Sequence, residues 1–325
     1  MSTIEREELL ALCDRALLAA GAGQGNARVL AQATVEAEQV GNRAVGVAHL
    51  FDYLDGYRKG RIAADASPSV RRPAPAVIDV DAGNGLAQAA YEAAFQDFTN
   101  VISQAGVAAL WIRRSYTCGE LGYYPRRLAQ QGFVAVAFAN SPALMSIGGS
   151  PKRVLGTNPL AYGIPRPGNL PLVIDQASSS TAFVNIRRAA EAGEPIPEGW
   201  ALNTQGQPTT DPNEAVQGTL LPFGSHCGGN IALLIEILAT LSGASFSIDA
   251  APFDSGTLSP DIGVFVLGID PGNFTGSIER LAKQFGTLQD EHQVRLPALE
   301  LTELPDHVKV DPDVLQRLHE AAPAS

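Results

Sequence analysis

The chain has 325 residues, and its 23 lysines and arginines against 34 aspartates and glutamates give a formal net charge of −11. Hydrophobic residues make up 45% of the chain, which is enough for a large core and excludes a disordered protein. A negative surface without a dense basic cluster makes nucleic acid an unexpected partner. No segment reads as a membrane span, and three widely spaced cysteines indicate a reducing, cytoplasmic setting.

The N-terminal segment is predicted to be helical. A first helix opens at Ser2 or Thr3, a second covers residues 26–39 and a third begins near Val47. Residues 64–75 are rich in proline, serine and arginine and are interpreted as a linker. We therefore predict a helical segment over residues 1–72.

Beyond the linker, short apolar runs alternate with helical patterns. The predicted strands are 76–80, 107–112, 133–138, 172–174 and 262–269. The predicted helices are 85–102, 121–131, one from about Ser178, 228–241, 277–285 and 312–321, and residues 82–85 are predicted to form a turn. This alternation indicates an α/β core. We place that core at residues 73–254 and expect residues 255–325 to pack back on the N-terminal segment.

Several common site motifs are missing from the sequence. No G-x-G-x-x-G follows a strand, so a Rossmann dinucleotide site is unsupported. The chain also lacks a Walker A loop, H-E-x-x-H, C-x-x-C and G-x-S-x-G, and its five histidines have no ligand spacing. No catalytic metal is expected.

Four turn-rich junctions remain as candidate site segments: 114–124, 148–159, 175–180 and 224–229. Each can be an ordinary turn or helix cap, and each can also present backbone N–H groups to an anion. Four such junctions in one α/β core favour a shared anionic ligand over four independent caps.

The order of several longer motifs carries a family resemblance. These motifs are LGTNP at 155–159, DQAS at 175–178, IPEGW at 196–200, PTTDP at 208–212 and LLPFG at 220–224. Together they resemble the malate/L-lactate dehydrogenase family of the non-Rossmann type, from Ile4 to beyond Phe274. Residues 246–272 are most similar to its Δ1-piperideine-2-carboxylate/Δ1-pyrroline-2-carboxylate reductase branch.

The resemblance implies a fold, a cofactor and a set of contacts. The fold would be the L-lactate/malate/sulfolactate dehydrogenase-like α/β fold with a central mixed sheet, in a homodimer. Residues 1–72 would then contribute to the substrate cleft and to dimer contacts, and residues 73–254 would form the cofactor-binding core. NADPH, favoured over NADH, would transfer hydride to a 2-oxo acid or a cyclic 2-imino acid, with Thr157 near the substrate carboxylate. The implied cofactor contacts are Thr117, Cys118, Gly119, Glu120, Leu121, Ser178, Ser179, Ser180, Phe223, Gly224 and Gly229.

The sequence departs from the family where the proton is handled. Relatives carry Ser-His-Gly-x-x-Arg, whereas this chain has Ala44, Val45 and, in place of the arginine, His49. Relatives also carry a histidine where this chain has Thr117 and a lysine where it has Cys227.

These substitutions change the expected chemistry. Val45 cannot donate a proton, and the hydroxyl of Thr117 can orient a substrate but is a poor acid. An imine is basic enough to arrive protonated, so an iminium-type substrate is favoured over a simple ketone. His49, which would also touch the substrate, and His226 are the replacement acid–base candidates. Cys118 and Cys227 are either nucleophilic thiolates or inert fillers.

Three hypotheses follow from the sequence. The first is an NAD(P)H-dependent reductase of a cyclic imine or related acid, with His49, Thr117, His226 and Cys227 as catalytic candidates. The second is an enzyme of the same fold that performs a non-redox condensation, cyclisation or elimination. The third is a catalytically silent dimer with a degenerate site.

Overall fold

The computed structural model describes residues 1–296 and 303–323, and in that part of the chain there are twelve strands and ten α-helices. The strands are β1 (Ser2–Glu5), β2 (Ser69–Ala74), β3 (Val77–Gly85), β4 (Val107–Ser115), β5 (Val134–Ala139), β6 (Leu160–Ile164), β7 (Leu172–Gln176), β8 (Ala201–Leu202), β9 (Pro208–Thr209), β10 (Thr219–Leu220), β11 (Ile262–Ile269) and β12 (His307–Val310). The helices are α1 (Arg6–Ala19), α2 (Gln24–Gln39), α3 (Val47–Arg58), α4 (Ala87–Ala105), α5 (Tyr123–Gln130), α6 (Phe183–Ala192), α7 (Pro212–Gln217), α8 (His226–Thr240), α9 (Ser277–Asp290) and α10 (Pro312–Ala321).

A seven-stranded mixed sheet forms the centre of the molecule, in the order β2-β3-β4-β11-β5-β6-β7. Strands β3 and β4 are parallel, and the other neighbouring pairs are antiparallel. Strand β11 occupies the middle, so both of its faces are covered and its sequence is an almost continuous apolar run. The expected α/β fold with a central mixed sheet is confirmed.

Helices cover the two faces of this sheet. Helices α4 and α5 lie on one face, where Leu110 and Ile112 of β4 point into the main core. Trp111, between them, points to the other face and donates its indole N–H to the carbonyl of Leu238 in α8, at 2.8 Å. The alternation along β4 thus places α8 opposite α4 and α5.

The N-terminal helices form a second core with the end of the chain. Strand β1 pairs with β12, and α10 packs against α1 and α3. A third, smaller core lies around α6 and α7 and the three-stranded sheet β10-β8-β9. The main core beneath α4 and α5 and the N-terminal core meet near the end of β4, where Tyr116 is fully buried.

Four of the local predictions were wrong. Residues Ser2–Glu5 form a strand because β12, some 300 residues later, provides the pairing partner. Part of the predicted linker forms the exposed edge strand β2, where Pro73 is tolerated because edge strands leave N–H positions unpaired. The predicted turn at 82–85 is a bulged end of β3, with Asn84 at φ 60°.

The helix predicted from Ser178 begins instead at Phe183. The serines before it lie in a loop whose hydrogen bonds are described below. The strand predicted at 262–269 matches β11, and the helix predicted at 312–321 matches α10.

Candidate functional site

His49 lies on the first turn of α3 and is held on both ring nitrogens. Its Nδ1 is 2.7 Å from Oδ2 of Asp52, and its Nε2 is 3.3 Å from Oγ1 of Thr117. The rings of Tyr53 and Phe253 meet the imidazole edge-on, with centroid distances of 5.0 and 5.9 Å. The side chain is 13% exposed, so it is fixed in place but reachable.

The start of α3, and with it the position of His49, depends on a buried carboxylate. Glu38, at the end of α2, accepts the backbone N–H of Val47 at 2.9 Å. Gly46 permits this approach, because a Cβ there would lie 2.7 Å from a Glu38 oxygen. Burial raises the pKa of Glu38. The family glycine is therefore retained for packing, while Ala44 and Val45 beside it have no titratable group.

Thr117 connects α3 to the loop that follows β4. Its hydroxyl is 2.6 Å from the Tyr53 hydroxyl. Gln88 donates from Nε2 to the Tyr53 hydroxyl at 3.2 Å and to the Cys118 carbonyl at 3.0 Å. Gly119 fits beneath this network with φ 63°, and a Cβ there would lie 2.6 Å from Gln88. The loop is thus pinned against α3 and α4.

Of the two alternatives given for Cys118, a nucleophilic thiolate or an inert filler, the structure favours the filler. Its side chain lies against apolar core and near Asp175, and burial, together with that carboxylate, raises the pKa of the Cys118 thiol to about 12. A thiol with that pKa stays protonated at neutral pH, so Cys118 is not a nucleophile in this state.

Asp175 ends β7 beside the same loop. Its Oδ2 accepts the backbone N–H of Gly122 at 2.9 Å. Burial, followed by repulsion from Glu120, raises the pKa of Asp175 to about 6. A carboxyl with a raised pKa beside a candidate binding loop is a feature of functional sites.

The raised pKa of Asp175 predicts a pH-dependent stability. Between about pH 4 and pH 6 the folded protein binds more protons than the unfolded chain, so this group makes the free energy of unfolding fall as the pH rises. Asp175→Asn removes the charge but keeps an oxygen for Gly122. We expect the variant to gain about 2 to 3 kcal/mol relative to wild type between pH 4 and pH 7. Urea unfolding across that range measures this, and a pH-independent difference would contradict it.

The serine loop 178–180 joins two other predicted segments. Ser178 is fully buried, donates its hydroxyl to the Asn158 carbonyl at 2.7 Å, and donates its N–H to the Thr157 carbonyl at 2.8 Å. The Ser180 hydroxyl donates to the Pro222 carbonyl at 3.1 Å, and the Ser179 hydroxyl donates to Thr181. These hydroxyl protons hold loops together, so any anion here would be bound chiefly by other donors.

Asn158 and Glu236 support this loop from below. Asn158 has φ 34°, is fully buried, and donates to Glu236 at 2.9 Å. Glu236 also accepts both the N–H and the hydroxyl of Ser247, each at 2.6 Å. This buried network explains the single acidic residue inside the apolar α8.

The N-terminus of α8 is open to solvent. Residues Gly224–Cys227 are exposed, and no side chain of the described residues caps the helix at Ser225. His226 Nε2 is 3.6 Å from the Cys227 sulfur. The start of this 15-residue helix has no side-chain cap, but the N–H groups of Cys227 and Gly228 already donate to the carbonyls of Gly224 and Phe223, at 3.3 and 3.0 Å.

The structure therefore groups the predicted residues into two sets. His49 and Thr117 meet at α3, with Cys118 next to Thr117 in the loop, whereas Ser178 joins Thr157 to the loop 221–223. Asp175 accepts the N–H of Gly122, in the loop that carries the first set, and it precedes Ser178 of the second set by three residues. The side chains of Glu120 and Leu121 are buried in an ion pair and in the core, so only their backbone can reach a ligand.

Three further residues belong to this arrangement and were missed in the sequence: Asp52, Tyr53 and Gln88. The i,i+3 spacing of His49 and Asp52 on a predicted helix was the available signal for Asp52. Tyr53 and Gln88 carried no such signal, because each contacts a loop that is distant in sequence, more than 60 residues away in the case of Tyr53.

Residues 1–296 and 303–323 contain neither a candidate metal cluster nor a candidate membrane-spanning helix. No three His, Cys, Asp or Glu side chains come together there as metal ligands. No helix there has both the length and the apolar character that a bilayer crossing requires.

Comparisons with known proteins show the family of the chain. Residues 4–300 match the family model described as malate/L-lactate dehydrogenase. The chain is 38% identical over 300 residues to a (2R)-3-sulfolactate dehydrogenase (NADP(+)) of Chromohalobacter salexigens, covering 91% of this chain and 89% of that one. It is 35% identical to a Δ1-pyrroline-2-carboxylate reductase of Pseudomonas fluorescens, covering 84% and 82%.

A solved structure extends the likeness to the whole fold. The crystal structure of Δ1-piperideine-2-carboxylate reductase from Pseudomonas syringae superposes with a TM-score of 0.91 at 30% identity. It covers 99% of this chain and 100% of that chain.

Proposed function

Since the chain belongs to the malate/L-lactate dehydrogenase family of oxidoreductases, we propose that it is an NADPH-dependent reductase of a cyclic 2-imino acid. The observation that carries this proposal is the fixed imidazole of His49 between Asp52 and Thr117. It provides one acid–base group at a site where Ala44 and Val45 provide none. Relatives named as pyrroline- and piperideine-2-carboxylate reductases supply the substrate class.

The residues present fit a nicotinamide dinucleotide. The exposed start of α8 at Gly224–Cys227 would hold the phosphates, with Phe223 and Gly229 flanking it, and the loop 117–121 would lie at the nicotinamide end. When bound, the nicotinamide supplies the hydride. NADPH is proposed over NADH because the sulfolactate relative is named for NADP(+).

The chain's own residues handle the substrate and its proton. His49, when protonated, provides positive charge for the substrate carboxylate and a proton within reach of the Thr117 hydroxyl. Thr157, beside the serine loop, is proposed as a second contact to that carboxylate. An imine nitrogen that takes this proton is reduced as its iminium, which the fixed groups of the site orient.

The test is a reductase assay with purified protein, in which turnover is measured as the loss of NADPH absorbance. We expect turnover with Δ1-pyrroline-2-carboxylate or Δ1-piperideine-2-carboxylate. The second candidate substrate is 3-sulfopyruvate, favoured by the 38% identity to the sulfolactate enzyme. Binding of NADPH without turnover of any of these acids would contradict the proposal.

We also propose a homodimer in the cytoplasm. Helix α8 and the segment beside it expose an apolar surface, the α8 patch, made of Leu233, Leu234, Ile237, Leu241, Phe246 and Ile248, each 44–65% exposed. Clustered apolar side chains of this kind mark interfaces, and a two-fold dimer would bury the patch of each copy. The three free cysteines suit a reducing compartment.

The α8 patch predicts the effect of a single charge on assembly. Ile237→Asp places a carboxylate in the centre of the patch, which is unfavourable to bury without a partner. We expect wild type to elute at twice the 34.1 kDa chain mass and the variant to shift towards monomer in light scattering. Leu18→Asp, at an exposed leucine of α1, is the matched control. A dimer unchanged by Ile237→Asp would rule out this interface.

A further inference from the structure

The hydrogen bonds around His49 have definite directions. The backbone carbonyl of Cys118 can only accept, so the Gln88 atom facing it is the amide nitrogen. The same nitrogen donates to the Tyr53 hydroxyl, whose oxygen is therefore an acceptor. On the other side of His49, the carboxylate of Asp52 accepts a proton from Nδ1.

The remaining hydroxyl protons have two consistent arrangements. In the first, Tyr53 donates to the Thr117 carbonyl, Thr117 donates to the Tyr53 oxygen, and Thr117 accepts from Nε2–H of a protonated His49. In the second, Tyr53 donates to Thr117 and Thr117 donates to the bare Nε2 of a neutral His49. Asp52 holds the proton on Nδ1 in both arrangements, so the hydroxyls can follow His49 through a proton transfer.

We propose that Asp52 is a positioning residue, and that Asp52, His49, Thr117 and Tyr53 form a proton relay that ends at the Thr117 hydroxyl. The inference rests on the proposed reductase function for its purpose. Asp52 fixes His49 in the tautomer that leaves Nε2 facing Thr117, and Gln88 anchors Tyr53 at the other end. In this proposal the Thr117 hydroxyl and His49 contact the substrate, and Asp52 and Tyr53 act through them.

The transfer is balanced in protons. With His49 protonated, the Thr117 hydroxyl turns its proton from the Tyr53 oxygen to the substrate. As the substrate nitrogen or oxygen takes that proton, the Thr117 oxygen takes the Nε2 proton of His49. His49 ends neutral, with its remaining proton on Nδ1 and hydrogen-bonded to Asp52. A bound nicotinamide would supply the hydride. Solvent then restores the proton on the 13% exposed His49.

The other ionisable groups near His49 do not compete for this role. Burial raises the pKa of Tyr53 above its usual range and that of the Cys118 thiol to about 12, so both stay protonated at neutral pH. Asp254, next to Phe253 in the chain, is paired with Arg187 at 3.1 Å. Asp52 is thus the charged group that faces the imidazole.

The test reads the tautomer of His49 directly. Nitrogen-15 NMR of the imidazoles, with His49→Gln to identify the signal, should show the Nδ1–H tautomer in the neutral wild-type side chain. In Asp52→Ala and Asp52→Asn we expect the Nε2–H tautomer instead, because Thr117 then offers the better acceptor. Asp52→Asn keeps the side-chain volume and serves where the alanine variant does not fold.

Activity adds a second readout with a matched control. Both Asp52 variants should lower kcat by about 10²-fold or more, as loss of a positioned proton transfer does, with the NADPH dissociation constant unchanged. Asp55→Asn, one turn further along α3, breaks a pair with Arg61 and should leave the His49 tautomer as in wild type.

Each outcome separates the relay from the reductase itself. An Nδ1–H tautomer retained in both Asp52 variants would overturn the positioning role, whatever the activity. If the tautomer differs between wild type and the Asp52 variants but none of these proteins shows reductase turnover, the positioning of His49 is supported and only the proposed function is overturned.

Discussion

Replacing His49 with glutamine is expected to lower kcat for a cyclic 2-imino acid by about 10²- to 10⁴-fold, the usual value of a positioned proton transfer. Glutamine keeps hydrogen-bonding groups for Asp52 and Thr117 but has no titratable proton. The imidazole also packs against two aromatic rings, so its loss removes both the proton and this packing. Steady-state kinetics with saturating NADPH measure the effect.

Two comparisons show whether His49 acts through Thr117. Thr117→Val keeps the shape of the side chain and removes the hydroxyl, so it should lose most of the same activity, while Thr117→Ser should recover it. His319→Gln, on the exposed face of α10, controls for the loss of a histidine elsewhere. Full activity in both His49→Gln and Thr117→Val would show that the proton comes from another source.

The candidate site could be predicted from the sequence only in part. The segments around Thr117, Thr157 and Ser178 carry motifs, and motif residues are visible in any single chain. Asp52 has no motif, and its role depends on the orientation of α3, which Glu38 and Gly46 set through a buried contact. Gln88 depends on a glycine at position 119 that leaves room for its amide. Contacts between distant segments of this kind leave no periodic pattern.

The fold shows the same division between local and distant causes. The strand β11 and the helix α10 were predicted with correct bounds, because an apolar run and an Asp-Pro start are local signals. Strand β1 was predicted as part of a helix, since its strand conformation comes from β12 at the other end of the chain. The serine loop resembled a helix start, but its hydroxyls are used by carbonyls of neighbouring loops.

Glu120→Ala is expected to destabilise the protein by about 3 to 5 kcal/mol, although position 120 lies in a predicted cofactor segment. Glu120 is 5% exposed and forms an ion pair with Arg126, which is 3% exposed. Arg126 also contacts Glu36 of α2 at 2.7 Å; burial acts to lower the pKa of Arg126, and the two carboxylates outweigh it, raise the pKa and keep the guanidinium charged. Removing Glu120 leaves the guanidinium partly uncompensated in the protein interior, where water cannot replace the lost partner.

The neighbouring arginine provides the control for this prediction. Arg127 pairs with Glu92, and both side chains are more than a quarter exposed, so Glu92→Ala should cost about 1 kcal/mol or less. Urea unfolding of both variants at pH 7 measures the difference. Because Glu120 raises the pKa of Asp175, Glu120→Ala should also weaken the loss of stability between pH 4 and pH 6. Equal destabilisation by the two substitutions would mean that Glu120 serves the site and not the core.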